Sequence, residues 1–255
     1  KHLELHKLRN ELAEKNQSLL ELVDTKNKLL GMASHDLRNP LTSIQGYSAF
    51  LLKKGNTLNE ETRTDFTKII NTASGNMLTL VNDLLNLSVI ESGQLSLNLN
   101  SGSLGSLIEE RVHLYQYLAR EKEIELKVTT QDTSELLFDE ARIGQVLDNL
   151  LTNAIKFSPA GSVIDISSTT YNGCVRVSVK DEGPGIKNEE LGKLFQPFEK
   201  LSSKATDGET GTGLGLAIAK KMIELHQGVL KVESSPGRGA KFSFELPINP
   251  STFDP

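Results

Sequence analysis

Two long helical stretches fill the first 90 residues, separated by a single turn, and they limit this chain more than any other feature. Residues 1–30 contain neither Gly nor Pro. Leu5, Leu8, Leu12, Leu19, Leu22 and Leu29 fall on the a and d positions of a heptad, which Lys15 and Lys26 interrupt. The leucine seam predicts a coiled coil and hence a dimer. One amphipathic helix lying on its own domain would give the same spacing. The helical pattern continues to Lys54, and Gly55-Asn56 marks a turn. A second helix is expected from Glu60 to Ile90, with Phe66, Ile69, Ile70, Ala73, Met77, Leu80, Val81, Leu84 and Leu87 as its apolar face. Two long antiparallel helices bury such faces best by dimerising into a four-helix bundle.

The stretch SGQLSLNLNSGS reads as a polar linker. Beyond it the pattern is mixed. A helix over 106–122 precedes a strand over 124–129, and Asp139 caps a helix running to Phe157. Strands over 163–169 and 175–180 are joined by a turn at Asn172-Gly173. A short helix over 189–195 and another from Gly213 to just before Gly228 lead to closing strands over 229–233 and 241–246. Helices on one sheet make this part an α/β sandwich, so the chain is of the α+β class. The expected partition is a coiled coil (1–26), the helical hairpin (27–94), a linker (95–103), the sandwich domain (104–248) and a tail (249–255).

A net charge of -5 argues against a nucleic-acid partner. The lone Cys174 rules out an intramolecular disulfide and fits a reducing, cytoplasmic location. No apolar run approaches the roughly 20 residues that span a bilayer, and there is no signal-peptide pattern. Because the chain opens on Lys1, it is expected to be a piece of a longer protein, with any membrane anchor or sensor module upstream.

His35-Asp36-Leu37-Arg38-Asn39-Pro40-Leu41 is the most unusual segment. His35 and Asn39 are i and i+4, on one helix face. Pro40 deprives the Asp36 carbonyl of its helical donor and is expected to bend the helix. An imidazole is nucleophilic at one nitrogen when a base takes the proton from the other, and Asp36 is adjacent. Taken alone, the same residues read as a surface histidine beside an acid.

Three further segments bear on nucleotide chemistry. Asn149, Asn153 and Lys156 form one polar stripe at i, i+4 and i+7, leaving Leu147, Leu150, Leu151 and Ala154 for the sheet. Asn is a poor helix former, so two on one stripe need a reason. Amide oxygens suit Mg²⁺, and Lys156 can meet a phosphate. Asp181-Glu182-Gly183-Pro184-Gly185-Ile186 follows a strand. Its carboxylate can accept from an adenine amino group, and its glycines admit a flat base, although by itself the segment reads as a turn. Gly211-Thr212-Gly213-Leu214-Gly215-Leu216 precedes a helix whose first amides can hold phosphates. Residues 200–210 before it read as a mobile lid.

Together, and in this order, these segments resemble the sensor histidine kinases of bacterial two-component systems. HDLRNPL looks like their H-box, and Asn149–Phe157 is similar to their N-box. DEGPGI and GTGLGL resemble their two glycine boxes, and Phe195-Gln196-Pro197-Phe198 their F-box. The resemblance covers about residues 27–247. It implies a dimerisation and histidine-phosphotransfer hairpin, preceded by a signal-transmission helix and followed by an ATP-binding domain of the Bergerat (GHKL) type. By position, His35 would be the phosphoacceptor, Asp36 the general base and Arg38 an aid to orienting the phosphoryl group. Asn39 would help dephosphorylate a partner. Asn153 would hold Mg²⁺, with Asn149 and Lys156 beside the phosphates, and Asp181 would read adenine. Phe157, Gly183, Gly185, Ile186, Phe198 and the residues Gly211 to Leu216 would complete the ATP site. The implied partners are a second copy of the chain, a response regulator receiver domain and an upstream sensor module.

One position departs from the family pattern. Ala240 stands where a Ser or Thr hydroxyl often supports the adenine-reading carboxylate, an expected loss of about 1 kcal/mol. Two other readings share these boxes: a chaperone- or topoisomerase-type ATPase, in which HDLRNP has no role, and a degenerate kinase kept as a dimeric scaffold.

Overall fold

The leucine-rich stretch and the His35 segment lie on one helix, α1 (His2–Lys54), of 53 residues, about 80 Å long at 1.5 Å per residue. The structure is a computed structural model that describes residues 2–130, 135–199, 202 and 211–248. Of the heptad leucines, Leu12 is the one whose side chain lies among the described residues, and it is exposed in the single chain. The helix runs unbroken through Pro40. Four residues after Arg38, the Thr42 hydroxyl donates to the Arg38 carbonyl at 2.8 Å.

Gly55–Thr57 forms a 3-10 turn. The Asn59 side-chain oxygen then accepts from the Thr62 N–H at 2.9 Å, an N-cap for α2 (Glu60–Glu91). At this end the hairpin is closed by aromatic rings. Phe66 lies 4.9 Å from Tyr47 and 5.5 Å from Phe50, centroid to centroid. Ala73, Leu80 and Leu87 are buried, as expected of the apolar face, while Ile69 and Val81 of that face remain exposed. Leu41, Leu52 and Leu78 are exposed as well. One hairpin therefore leaves much of its apolar surface in water, which is the pattern of a surface that meets a partner.

The chain divides into two compact units, Lys1–Leu84 and Leu85–Pro255. The division falls inside α2 rather than in the polar stretch that follows it. That stretch is also not all linker: Asn100–Ser103 is a strand, β1. It pairs antiparallel with Glu135–Phe138, β3, which the sequence pattern did not show. Ser, Gly and Asn have low strand propensity, and here the pairing with β3 decides the conformation.

The rest of the second unit follows the expected order closely. It comprises α3 (Leu104–Glu121), β2 (Glu125–Thr130), α4 (Glu140–Phe157), β4 (Val163–Tyr171), β5 (Cys174–Lys180), α5 (Asn188–Leu191), α6 (Gly215–Leu225), β6 (Val229–Ser234) and β7 (Ala240–Pro247). A five-stranded sheet has the order β2-β4-β5-β7-β6, with β2 parallel to β4 and the other pairs antiparallel. Asn172 and Gly173 turn the β4–β5 hairpin with φ of 48° and 76°, as a type I′ turn requires. Ile166, Val179, Phe242 and Val232 stand in cross-strand register on one face, which α4 and α6 cover. Lys127, Asp165, Lys180, Lys241 and Glu233 line up on the other. Ile143, Leu147, Leu150 and Leu151 of α4 are fully buried, each worth about 2 kcal/mol relative to exposure. That packing fixes which face of α4 is left for the site.

Candidate functional site

The site begins with the orientation of α4. Asp139 caps the helix, its Oδ1 accepting from the Arg142 N–H at 3.1 Å. With the leucines turned to the sheet, Asn149, Asn153 and Lys156 form a half-buried stripe. A third face is tied to α3. Arg111 Nη1 lies 3.5 Å from Asp148 Oδ2, and the Tyr115 hydroxyl donates to the same carboxylate. Burial pushes the Asp148 carboxyl above its ordinary value against the opposing pull of Arg111. Burial, reinforced by Asp148, pushes the Tyr115 phenol up to about 12.

Asp181 is buried at the end of β5. Its Oδ1 accepts two main-chain N–H bonds, from Gly183 at 2.8 Å and from Ala240 at 3.0 Å. Burial raises its carboxyl above the ordinary value, and these two bonds oppose the shift. The loop that follows is held on several sides. The Ser234 hydroxyl accepts from the Ile186 N–H at 2.9 Å and donates to the Gly239 carbonyl at 2.7 Å. Glu182 accepts from the Val163 N–H at 3.0 Å. Gly185 has φ +71° and lies against the Ser235 carbonyl, where no Cβ fits.

The second glycine-rich segment meets α4. A Cβ on Gly215 would overlap the Asn149 amide, and Gly211 lies against the Lys156 ammonium. Phe157 touches Gly183 through its carbonyl. Phe198 is buried, adopts φ 63°, and donates its N–H to the Gly213 carbonyl at 2.9 Å. Thr212 accepts from the Leu214 N–H at 3.2 Å, Leu214 and Ile186 are buried, and Leu216 is half-buried at the start of α6. Four segments far apart in sequence are thereby gathered on one side of α4. The expected lid over 200–210 lies outside the described residues except Ser202, whose N–H donates to Glu190 at 2.8 Å.

His35 is in the other unit. Its side chain is exposed, and Nδ1 lies 3.2 Å from Asp36 Oδ1. Arg38 and Asn39 are exposed one turn on.

A family model described as "Histidine kinase-, DNA gyrase B-, and HSP90-like ATPase" matches residues 138–250. The "His Kinase A (phospho-acceptor) domain" matches residues 25–93. The two models fall on the two halves of the chain in the order in which the site residues occur. The chain belongs to the histidine kinases. It is 33% identical over 250 residues to the circadian input-output histidine kinase CikA of Synechococcus elongatus, covering 94% of this chain and 33% of that protein. The solved catalytic domain of the histidine kinase ThkA is 34% identical, with a TM-score of 0.54, 61% of this chain covered and 99% of that one. ThkA in complex with the response regulator protein TrrA is 29% identical, with a TM-score of 0.69, 89% of this chain covered and 63% of that one. The chain spans 16% to 33% of the length of the first curated relatives it matches.

Some of the residues that hold this kinase's site together escaped sequence reasoning. The backbone of Ala240 is one: its main-chain N–H, not a side-chain hydroxyl, donates to the Asp181 carboxylate. Ser234 is another, and its place just before a glycine-rich turn was the available signal. His226 stands at the end of α6, where a cation would suit the helix dipole. It is instead buried, with Nδ1–H donating to the Met222 carbonyl at 2.7 Å and Nε2 accepting from the Asp139 N–H at 3.0 Å. Burial holds it below its ordinary value. Among the described residues, no group of three or more His, Cys, Asp or Glu side chains gathers as a metal site. The amide oxygens of Asn149 and Asn153 are hard donors of the kind Mg²⁺ takes together with phosphate oxygens. No helix among the described residues is long and apolar enough to cross a membrane.

Proposed function

We propose that this kinase autophosphorylates on His35 with ATP and passes the phosphoryl group to an aspartate of a response regulator receiver domain. The observation that carries the proposal is the His35–Asp36 contact at 3.2 Å, in a chain whose other unit gathers an adenine- and phosphate-binding constellation. With Nδ1–H donating to Asp36, Nε2 keeps its lone pair. Nε2 attacks the γ-phosphorus, a P–N bond forms, and the bond to the ADP oxygen breaks. The Nδ1 proton is held or taken by Asp36, which stabilises the phosphorylated ring. Arg38 orients the transferred group.

In the second unit, Asp181 accepts the adenine amino proton, which a guanine carbonyl could not supply. Lys156 and the amides at the start of α6 hold phosphate oxygens. Mg²⁺, held by Asn153 with Asn149 beside the phosphates, would neutralise charge on the transferred group. Asn39 positions water for dephosphorylation of the regulator. The active form is a homodimer, supported by the exposed apolar residues of the hairpin, and a sensor module acts on α1 from upstream. The same reading makes the chain a cytoplasmic domain of a sensor kinase. Two main-chain N–H bonds to Asp181 weigh against a degenerate scaffold, because the Ala240 departure leaves the carboxylate supported.

The test is labelling with γ-radiolabelled ATP. The wild type takes up acid-labile, base-stable label and His35→Gln takes up none; label on His35→Gln overturns the proposal. Asn153→Ala should abolish labelling while remaining a dimer by light scattering, and retained labelling would remove Asn153 from the metal site.

A further inference from the structure

His226 and Asp139 are buried and lie outside the proposed chemistry, yet they join three elements. Asp139 Oδ1 caps α4 through the Arg142 N–H, and its Oδ2 accepts from the Asn98 N–H at 2.9 Å, in the segment that leads into β1. The Asp139 N–H is itself received by His226 Nε2 at the end of α6, and the opposite ring nitrogen is committed to Met222. Every polar atom of the histidine is used, which fixes one tautomer and one ring orientation.

The position of this cluster matters because α4 and α6 run antiparallel and pack together. Ten residues along α4 lead from Asp139 to Asn149, and eleven along α6 lead back from His226 to Gly215, about 15 Å in either case. At the far end Gly215 lies against the Asn149 amide. The two helices are therefore fastened at both ends, by Asp139–His226 at one and by Asn149–Gly215 at the other. Close-packed helices shift as units, so a change at one fastening is felt at the other.

We propose that Asp139 and His226 form a clasp that couples the segment before β1, through Asn98, to the nucleotide site at Asn149 and Gly215. Both are positioning residues, since neither is placed to touch the nucleotide. The coupling runs both ways: a nucleotide that tightens Asn149 against Gly215 also tightens Asn98 against Asp139, and release of Asn98 loosens nucleotide binding. The neutral state in which burial holds His226 is the state the clasp needs, because an Nε2 that carried a proton could not accept from the Asp139 N–H. Asp139 is the charged group that acts on the ring among the described residues. The inference rests on reading the second unit as the ATP site.

Hydrogen exchange and kinetics on the whole dimeric chain test it. In the wild type the Asn98 amide should be protected, and a non-hydrolysable ATP analogue with Mg²⁺ should deepen that protection several-fold. His226→Phe keeps an aromatic ring, somewhat larger than imidazole, and removes both bonds. It should abolish the response of Asn98 to the analogue and raise the KM for ATP about tenfold with kcat changed less than twofold. His226→Gln, whose amide oxygen can reach the Nε2 position and accept from the Asp139 N–H, should restore part of the response. Asn98→Pro deletes the N–H without touching either helix, and it keeps the idea testable if the core variant fails to fold. It should raise the KM three- to tenfold. An unchanged KM in Asn98→Pro, or an Asn98 amide in folded His226→Phe that still answers the analogue, would overturn the clasp. Failure of the wild type to bind the analogue at all would instead sink the reading of the ATP site.

Discussion

The Ala240 main-chain N–H donates to Asp181 Oδ1 at 3.0 Å, the same oxygen that receives the Gly183 N–H. Ala240, which brings no side-chain hydroxyl, thus supports the carboxylate through its backbone. A hydroxyl added there would find the oxygen already twice bonded. Ala240→Ser should therefore change ATP affinity by less than about fivefold, near the worth of one neutral hydrogen bond. Isothermal titration of the two proteins would check it, and a gain of a hundredfold would mean that the backbone support is not effective.

If Asp181 reads adenine as proposed, it also sets an acid limit on nucleotide binding. Burial raises its carboxyl above the ordinary 3.8, so the carboxylate that accepts from adenine is lost at a higher pH than an exposed aspartate would be. Its effect on stability has the opposite sign. A group whose folded value is raised disfavours the native state at neutral pH, and that penalty is relieved as pH falls through the folded value. As pH falls toward the ordinary aspartate value, ATP affinity of the wild type should fall, while its stability relative to Asp181→Asn should improve. Binding and urea denaturation measured on the same samples at each pH would separate the two trends.

His226 titrates in the other direction. Its folded value lies below the ordinary 6.5, so the unfolded chain takes up a proton that the folded chain refuses. The stability this confers is fully present above about pH 6.5 and is lost as pH falls from there to the folded value. The wild type should lose melting temperature more steeply than His226→Gln over that window. Equal slopes would show that the ring is not held neutral.

Much of the site could be read from the sequence because its signals are local. The Asp139 cap, the Asn172-Gly173 turn and the Asn149–Asn153–Lys156 stripe depend on residues within a turn or two of one another. What escaped depends on partners far along the chain. β1 is built from Ser, Gly and Asn, and it is a strand because β3 supplies its hydrogen bonds. The role of His226 is hidden because nothing near it in sequence announces the Asp139 N–H, 87 residues away. Ala240 looked like a loss because a sequence shows which side chain is missing and not which amide takes its place.

The contact between Gly215 and Asn149 makes a sharper test of the site than removal of a side chain. Gly215→Ala puts a methyl group where the Asn149 amide now lies, so Asn149 must turn away from its proposed place beside the phosphates or α6 must move off α4. Either shift removes the junction of the N-box with the second glycine box. Labelling of His35 should fall at least about a hundredfold, since displacement of a positioned group by 1 Å costs that much. The dimer, which involves the other unit, should survive in sedimentation velocity. Alanine is otherwise favoured over glycine in a helix, so the melting temperature should not fall as far as the activity does.

The turn after His35 carries two proposed tasks, which variants of Asn39 and Asp36 separate. Asn39 shares a helix face with His35 but lies four residues from it, and it is exposed. The Asp36 contact that prepares His35 for attack does not involve it. Asn39→Ala should therefore keep autophosphorylation within about threefold, a small change on the scale of single-residue effects in catalysis. It should lose tenfold or more in the rate at which the unphosphorylated kinase strips phosphate from a phosphorylated receiver domain. Asp36→Asn should do the reverse, since on the proposed reading it deprives His35 of its base and leaves the Asn39 amide in place. If both variants lost both activities together, the turn would be a single catalytic unit and the division of labour along this helix face would be wrong.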